Sequence, residues 1–343
     1  MLKWIPAADG RFSVNGLPWL DENGGRLARF PDRAQGSVPG NVWSLSRMTS
    51  GGRIRFSSDS GAFSIRASHG SEPRMIDMSS LGHSGLDLYA GPPGEMSYWG
   101  TSTPQFGGET YEHTYFHGLR AEMREFTLYL PTYNDLDMLE IGLDEEASFA
   151  ARAPYALDKP VVFYGSSITQ GGCASRPGNG YVPVLSREMN VDVVNLGFNG
   201  SGKGEPSVCS LMAEIDAACY VLDFHVNLPT AAELEAVYAP FYRQLRSLRP
   251  ETPILMVSPL YSSSERYDKQ TQAKYGGMRT IIRSAYEEAV AQGDRYVYTV
   301  DGCSLIGPGD EGGYVDGLHP NDIGFRQMAD RLQPILRQAL RIP

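Results

Sequence analysis

Beyond residue 160 the chain alternates short apolar runs with longer amphipathic stretches, and this alternation limits its possible folds more than any other feature. VVFYG (161–165), VDVVNLG (191–197), CYVLDF (219–224), PILMVSPL (253–260) and YVYTVDG (296–302) each read as a buried strand. Helical stretches fit between them at 180–189, 205–217, 231–248 and 273–291, and a last one begins near 321. Runs that are apolar on both faces suit a parallel sheet covered by helices on each side. Five of them joined by helices predict an α/β domain with right-handed crossovers. In such a sheet, functional groups gather beyond the carboxyl ends of the strands.

The first 150 residues read differently. RIRFSSDSGAFSIRAS (53–68) is read as a hairpin turning at Asp59-Ser60-Gly61. GLDLYAGPPGEMSYWG (85–100) repeats the pattern around Gly91-Pro92-Pro93-Gly94, and REFTLYLPTYNDLDMLEIGL (124–143) adds two strands around Thr132–Asp135. Short strands, frequent turns and no helical period predict an all-β, jelly-roll-like sandwich. The whole chain of 343 residues exceeds the roughly 250–300 residues at which a single core stops growing. The expected division is a sandwich over 1–150, a linker over 151–160 and an α/β domain over 161–343.

Charge and composition remove several classes of function. With 40 acidic and 30 basic side chains the net charge is −10, which offers no footprint for nucleic acid phosphates and disfavours anionic membranes. No run of 18 apolar residues occurs, so no transmembrane helix is expected. The start, MLKWIPAADG, lacks the pattern of a signal peptide. Cys173, Cys209, Cys219 and Cys303 are scattered, without paired spacing. That reads as free thiols in a cytoplasmic protein, with neither a disulfide framework nor a zinc site.

Four segments carry chemistry. Gly165-Ser166-Ser167-Ile168-Thr169 follows the first apolar run, where a small-residue turn exposes a hydroxyl with backbone N–H groups nearby. Asp316-Gly317-Leu318-His319 places a carboxylate three residues before an imidazole, close enough to fix its tautomer and leave the other nitrogen as a base. Asn195–Gly202 is glycine-rich, either a ligand-facing loop that offers N–H donors or a plain surface loop. Asp223-Phe224-His225-Val226-Asn227-Leu228 carries an asparagine, Asn227, that either points its amide into the same cavity or caps the next helix.

Taken together, the order and spacing of these segments resemble the SGNH (GDSL) hydrolase superfamily of esterases, lipases and acyltransferases, over residues 160–343. The resemblance implies a flavodoxin-like three-layer fold and acyl transfer without a cofactor or metal. It implies Ser167 as nucleophile, His319 as base and Asp316 as its orienting acid. The implied oxyanion hole is the Ser167 and Gly200 backbone N–H groups with the Asn227 amide. Two departures stand out. Ser166 replaces the family's aspartate, and the third block has His225 and Leu228 where the family has glycine and aspartate. These alter the pocket rather than the reacting atoms, and His225 is read as pocket-lining. Arg176, Lys203 and Tyr261 are further candidates for substrate contact. An N-terminal sandwich ahead of such a domain resembles two-domain carbohydrate esterases and some SGNH acyltransferases. The expected partner is therefore a small-molecule or oligosaccharide ester, with short acyl, chiefly acetyl, groups removed. Trp99 and the stretch Tyr111–His117 are candidates for stacking on sugar faces.

Two rival readings fit the sequence less well. Gly197-x-x-x-x-Gly202-Lys203 approaches a phosphate-binding loop, but Gly204 stands where a Ser or Thr must hold magnesium. A binding protein on the same scaffold is disfavoured by the complete Ser-His-Asp set.

Overall fold

The computed structural model describes residues 1–343 apart from 71, 73, 74, 107–109 and 343. Its first ten strands are β1 (Leu2–Pro6), β2 (Ser13–Asn15), β3 (Arg53–Ser58), β4 (Phe63–Ser68), β5 (Asp87–Ala90), β6 (Ser97–Thr101), β7 (Tyr111–Phe116), β8 (Arg124–Tyr129), β9 (Met138–Asp144) and β10 (Phe149–Ala150). They form two antiparallel sheets, β1-β9-β4-β7 and β10-β3-β8-β5-β6, with β2 paired to β3. Two short helices, α1 (Gly40–Ser46) and α2 (Ser80–Ser84), interrupt them. Alternate residues of both sheets meet in an apolar core that includes Ile54, Phe56, Phe63, Ile65, Phe126 and Ile141.

One expectation is corrected here. β5 and β6 pair as a hairpin, but β3 and β4 do not, because they belong to opposite sheets. Their turn is a corner of the sandwich. Ser60 Oγ donates to the Ala62 carbonyl, and the Gly61 N–H donates to Asp144 on β9. Crossing the core lets Phe56 and Phe63 stack at 5.7 Å, burial that a flat hairpin would leave on one side.

The second half contains β11 (Val161–Gly165), α3 (Ser167–Gln170), α4 (Tyr181–Met189), β12 (Val193–Gly197), α5 (Pro206–Glu214), β13 (Cys219–Asp223), α6 (Ala231–Leu248), β14 (Ile254–Val257), α7 (Lys269–Ala291), β15 (Val297–Val300), α8 (Gly302–Leu305) and α9 (Asp322–Leu340). The five strands form a parallel sheet in the order β12-β11-β13-β14-β15, the doubly wound arrangement whose ligands bind where the strand order reverses. Along β11, Val162 and Tyr164 join one apolar layer while Val161 and Phe163 join the other. That two-residue period explains why the run is apolar throughout.

Register then positions the site. Gly165 lies opposite both Gly197 and Asp223, so the loops leaving β11, β12 and β13 emerge side by side. Close approach requires the glycine at 197, since a Cβ there would sit 2.2 Å from the Gln170 nitrogen.

The two halves share a core. Trp19, Phe30 and Val42 pack into the same layer as Val162, Tyr164 and Phe198. The outward face of β3, which would be polar and solvated in a free sandwich, is buried: Arg53 donates to the Val193 carbonyl and pairs with Asp192, and Arg55 lies over Tyr155. No helix among the described residues is long and apolar enough to cross a membrane.

Candidate active site

Ser167 opens the single turn of α3, with Ser166 as its cap. The Ser166 hydroxyl accepts the Ile168 N–H at 3.2 Å, so the serine that stands in place of the family's aspartate still satisfies one of the helix's orphan donors. The carbonyl end of α3 is held from the N-terminal half. Tyr133 Oη donates to the Ser167 carbonyl at 3.2 Å and Ser50 Oγ to the Gln170 carbonyl at 2.7 Å.

Ser167 Oγ lies 2.9 Å from His319 Nε2, and His319 Nδ1 lies 2.7 Å from Asp316 Oδ2. The loop 314–320 folds back on itself, with Tyr314 bridged to Pro320 and Gly317 at φ 84. Asp316 Oδ1 accepts the Leu318 and His319 N–H groups at 2.9 and 2.7 Å. This side-chain turn fixes the carboxylate. Partial burial pushes the Asp316 carboxyl up, but these N–H groups and the imidazole outweigh it and hold it below its ordinary value. It therefore faces the imidazole as a carboxylate, the arrangement that keeps the proton on Nδ1 and leaves Nε2 toward Ser167.

On the loop after β12, Gly200 is exposed at φ 63, a backbone conformation that glycine adopts without strain. Among the described residues, neither the Ser167 nor the Gly200 backbone N–H meets an acceptor. Asn227 is placed differently from the expectation of a free donor. Its amide donates to the carbonyls of Phe198 and Gly202, at 3.0 and 2.9 Å, and so ties down the loop that carries Gly200.

The remaining sequence candidates divide. His225 and Tyr261 border a cavity of about 20 Å³, together with Ile168, Leu260, Tyr314 and Leu318. Burial, and then the charge of Arg279, lower His225 to about 3, so its 3.7 Å approach to Asp223 is not an ion pair. Among the described residues its Nδ1 is buried without a partner. Asp223 accepts from Thr169 Oγ1 at 2.9 Å and from Tyr181 Oη at 2.8 Å, which engages the aspartate that a phosphate-loop reading would assign to magnesium. Arg176 is built into the contact between the halves: it donates to Asp87 at 2.9 Å and Tyr89 at 2.6 Å, and lies 3.7 Å over the Tyr98 ring. Lys203 is exposed on the rim. Trp99 is 40% exposed, but its indole donates to the Tyr115 carbonyl and its ring packs on Phe116.

Sequence reasoning missed Arg29, Ser50, Asp77 and Tyr133, which reach the site from the other half. Arg29 is fully buried and lies 4.6 Å over the Phe198 ring. It donates to the carbonyls of Met48, Leu45, Asn195 and Gly197. Cys173, also overlooked as a neighbour of the site, is a buried thiol at φ 70. Burial, followed by Asp77 and Asp316, pushes it up to about 12, which removes it as a rival nucleophile.

Ser167, His319 and Asp316 thus stand in series at the carboxyl edge of a five-stranded doubly wound sheet. Residues 158–337 match the GDSL-like lipase/acylhydrolase family, and the chain belongs to it. Residues 2–149 match the N-terminus of SGNH hydrolase-type esterases. No curated protein matches the chain in sequence. Among solved structures, one assigned to a GDSL-like lipase from Bacteroides ovatus is 28% identical, with a TM-score of 0.90, over 100% of this chain and 99% of that one. The salicylyl-acyltransferase SsfX3 of a tetracycline biosynthetic pathway is 21% identical, with a TM-score of 0.80, over 98% and 97% of the two chains. The acetyl xylan esterase Est2A from Butyrivibrio proteoclasticus is 13% identical, with a TM-score of 0.65, over 99% of each chain. The last two likenesses concern the fold.

Proposed function

We propose that the chain is a serine esterase that removes short acyl groups, acetyl foremost, from a carbohydrate or small alcohol through a Ser167–His319–Asp316 triad. The observation that carries this reading is the continuous run of contacts from Ser167 Oγ through His319 to Asp316, at 2.9 and 2.7 Å. Ser167 Oγ attacks the ester carbonyl as His319 Nε2 takes its proton. Asp316 holds the ring and stabilises the imidazolium. The oxyanion is met by the Ser167 and Gly200 N–H groups, in a loop anchored by Asn227; the Asn227 amide joins them by turning one hydrogen from its carbonyl. One such donor is worth about 2.7–4 kcal/mol of barrier. His319 then returns the proton to the departing alcohol, and water, deprotonated by His319, releases the acid from the acyl-enzyme. The cavity of about 20 Å³ beside Ile168 and Leu318, close to the volume that a single water needs, favours a short acyl group.

An acyltransferase reading uses the same acyl-enzyme, with an alcohol in place of water. It is favoured by the two-domain framework shared with the salicylyl-acyltransferase along nearly the whole chain. Est2A, an acetyl xylan esterase by name, supports the carbohydrate side.

The test is labelling with a fluorophosphonate together with turnover of p-nitrophenyl acetate. Both are expected to vanish in Ser167→Ala, with a rate loss on the order of 10⁴ or more and an unchanged unfolding midpoint. Retained turnover sinks the nucleophile assignment. Turnover of butyryl and longer esters equal to that of acetyl esters sinks the short-acyl reading. Product esters formed when an alcohol is added favour transfer.

A further inference from the structure

A loop of the N-terminal half brings Asp77 up to the rim of the site, just ahead of α2. There its carboxylate, the Cys173 thiol and a ring nitrogen of His319 all lie within 4.8 Å of one another. The thiol donates to Asp77 Oδ2 at 3.6 Å. Asp77 is exposed while Cys173 is buried, so the group has one open side and one closed side.

We propose that Asp77, Cys173 and His319 form a site for a thiophilic divalent cation, zinc or cadmium, whose binding withdraws His319 from Ser167. One sulfur, one imidazole nitrogen and one carboxylate oxygen form a donor set that suits zinc, with water completing a tetrahedron on the open side. Bond lengths of about 2.0–2.3 Å put the ligands of one ion within roughly 4 Å of each other, so side-chain shifts of about 1 Å close the set. Asp316 already holds His319 Nδ1 at 2.7 Å, and a carboxylate behind an imidazole is the outer-shell partner that orients histidine ligands. Nε2 is thus the nitrogen that turns from Ser167 Oγ to the ion. Cys173 gives up its proton to solvent as the sulfur–metal bond forms, and no electron changes hands. Binding stands on the cluster alone; inhibition rests on His319 being the base proposed above.

The experiment uses the full chain stripped of metal. Cd²⁺ is titrated while the ultraviolet thiolate-to-cadmium charge-transfer band is followed, and Zn²⁺ is titrated against p-nitrophenyl acetate turnover. Cys173→Ala, Cys173→Ser and Asp77→Asn are run in parallel, with their metal-free turnover reporting that they fold. The expected result is one band per chain that is lost in both Cys173 variants. Inhibition by Zn²⁺ should be reversed by EDTA and weakened by more than about ten-fold in all three variants, the lower end of what losing even an outer-shell partner costs. No band in the wild type, a band that persists without Cys173, or equal Zn²⁺ potency in the variants overturns the site. A Cys173-dependent band with turnover undiminished overturns the part of His319 in it, while labelling of Ser167 decides the esterase reading separately.

Discussion

The guanidinium of Arg29 donates to the carbonyl of Gly197, 168 residues further along the chain. Gly197 ends β12 and begins the loop that carries Gly200, so a side chain of the N-terminal half braces the backbone of the candidate site. Complete burial lowers Arg29 to about 9, against a smaller opposing effect of Tyr133, and the group remains charged at neutral pH. Among the described residues its partners are carbonyl dipoles and an aromatic face, with no carboxylate.

Arg29→Ala leaves four carbonyls without that donor and is expected to destabilise the fold, at about 1–3 kcal/mol for each buried acceptor left unsatisfied. Arg29→Lys keeps the charge but cannot span all four. Its expected signature is a folded protein whose kcat falls by about ten-fold or more while KM stays near wild type, because a misplacement of about 1 Å can cost on the order of 100-fold. Steady-state kinetics alongside thermal unfolding measure both; an unchanged kcat removes Arg29 from the support of the loop.

Arg176 provides a contrast. It lies against Asp87, a carboxylate with no exposed surface, which burial pushes up and Arg176 holds down. Arg176→Ala strands that group and is expected to cost about 3–5 kcal/mol, read as a fall in the unfolding midpoint, with KM for acetyl esters unaltered. A raised KM at unchanged stability would return Arg176 to the substrate.

Asp223 sets a pH dependence of stability. Burial raises its carboxyl to about 6 from 3.8, opposed by Tyr181 and Thr169. A folded value above the unfolded one means that the native state binds the proton more readily. Its contribution to stability is therefore full below about pH 4 and lost as the pH rises from about 4 through 6. Asp223→Asn keeps an oxygen for Thr169 and Tyr181 and offers an N–H toward the unpaired His225 Nδ1. The variant is expected to gain about 1–3 kcal/mol at pH 7, with the gain fading toward pH 4. Denaturant unfolding at both pH values checks this, and a loss of stability at pH 7 would refute it.

Legibility in the sequence followed the range of the interaction. Ser167 and the Asp316–His319 pair were visible because each depends on neighbours within a few residues: a strand end, a cap, a side-chain turn. The five parallel strands were visible because both faces of the sheet are apolar. The corner at 59–61 was misread as a hairpin because an Asp-Ser-Gly turn has the same composition in either role, and only the Phe56–Phe63 contact across the core separates the two. Arg29, Ser50 and Tyr133 were illegible because they act on backbone carbonyls, which carry no residue signature, in the other half of the chain, 168, 120 and 34 residues away. The sequence leaves Arg176 open between substrate contact and a solvated loop position because its partner Asp87 lies in the other half.

The hydroxyls of Ser50 and Tyr133 close the carbonyl end of the short helix that presents Ser167. The sandwich is thus no detachable accessory of the kind that can be exchanged between enzymes to change what they adhere to. It supplies part of the framework that holds the candidate site. Recombination that supplied the second half with a different partner module would have to re-create these two hydroxyls and the Arg29 brace, which ties the placement of the proposed nucleophile to both halves of the chain.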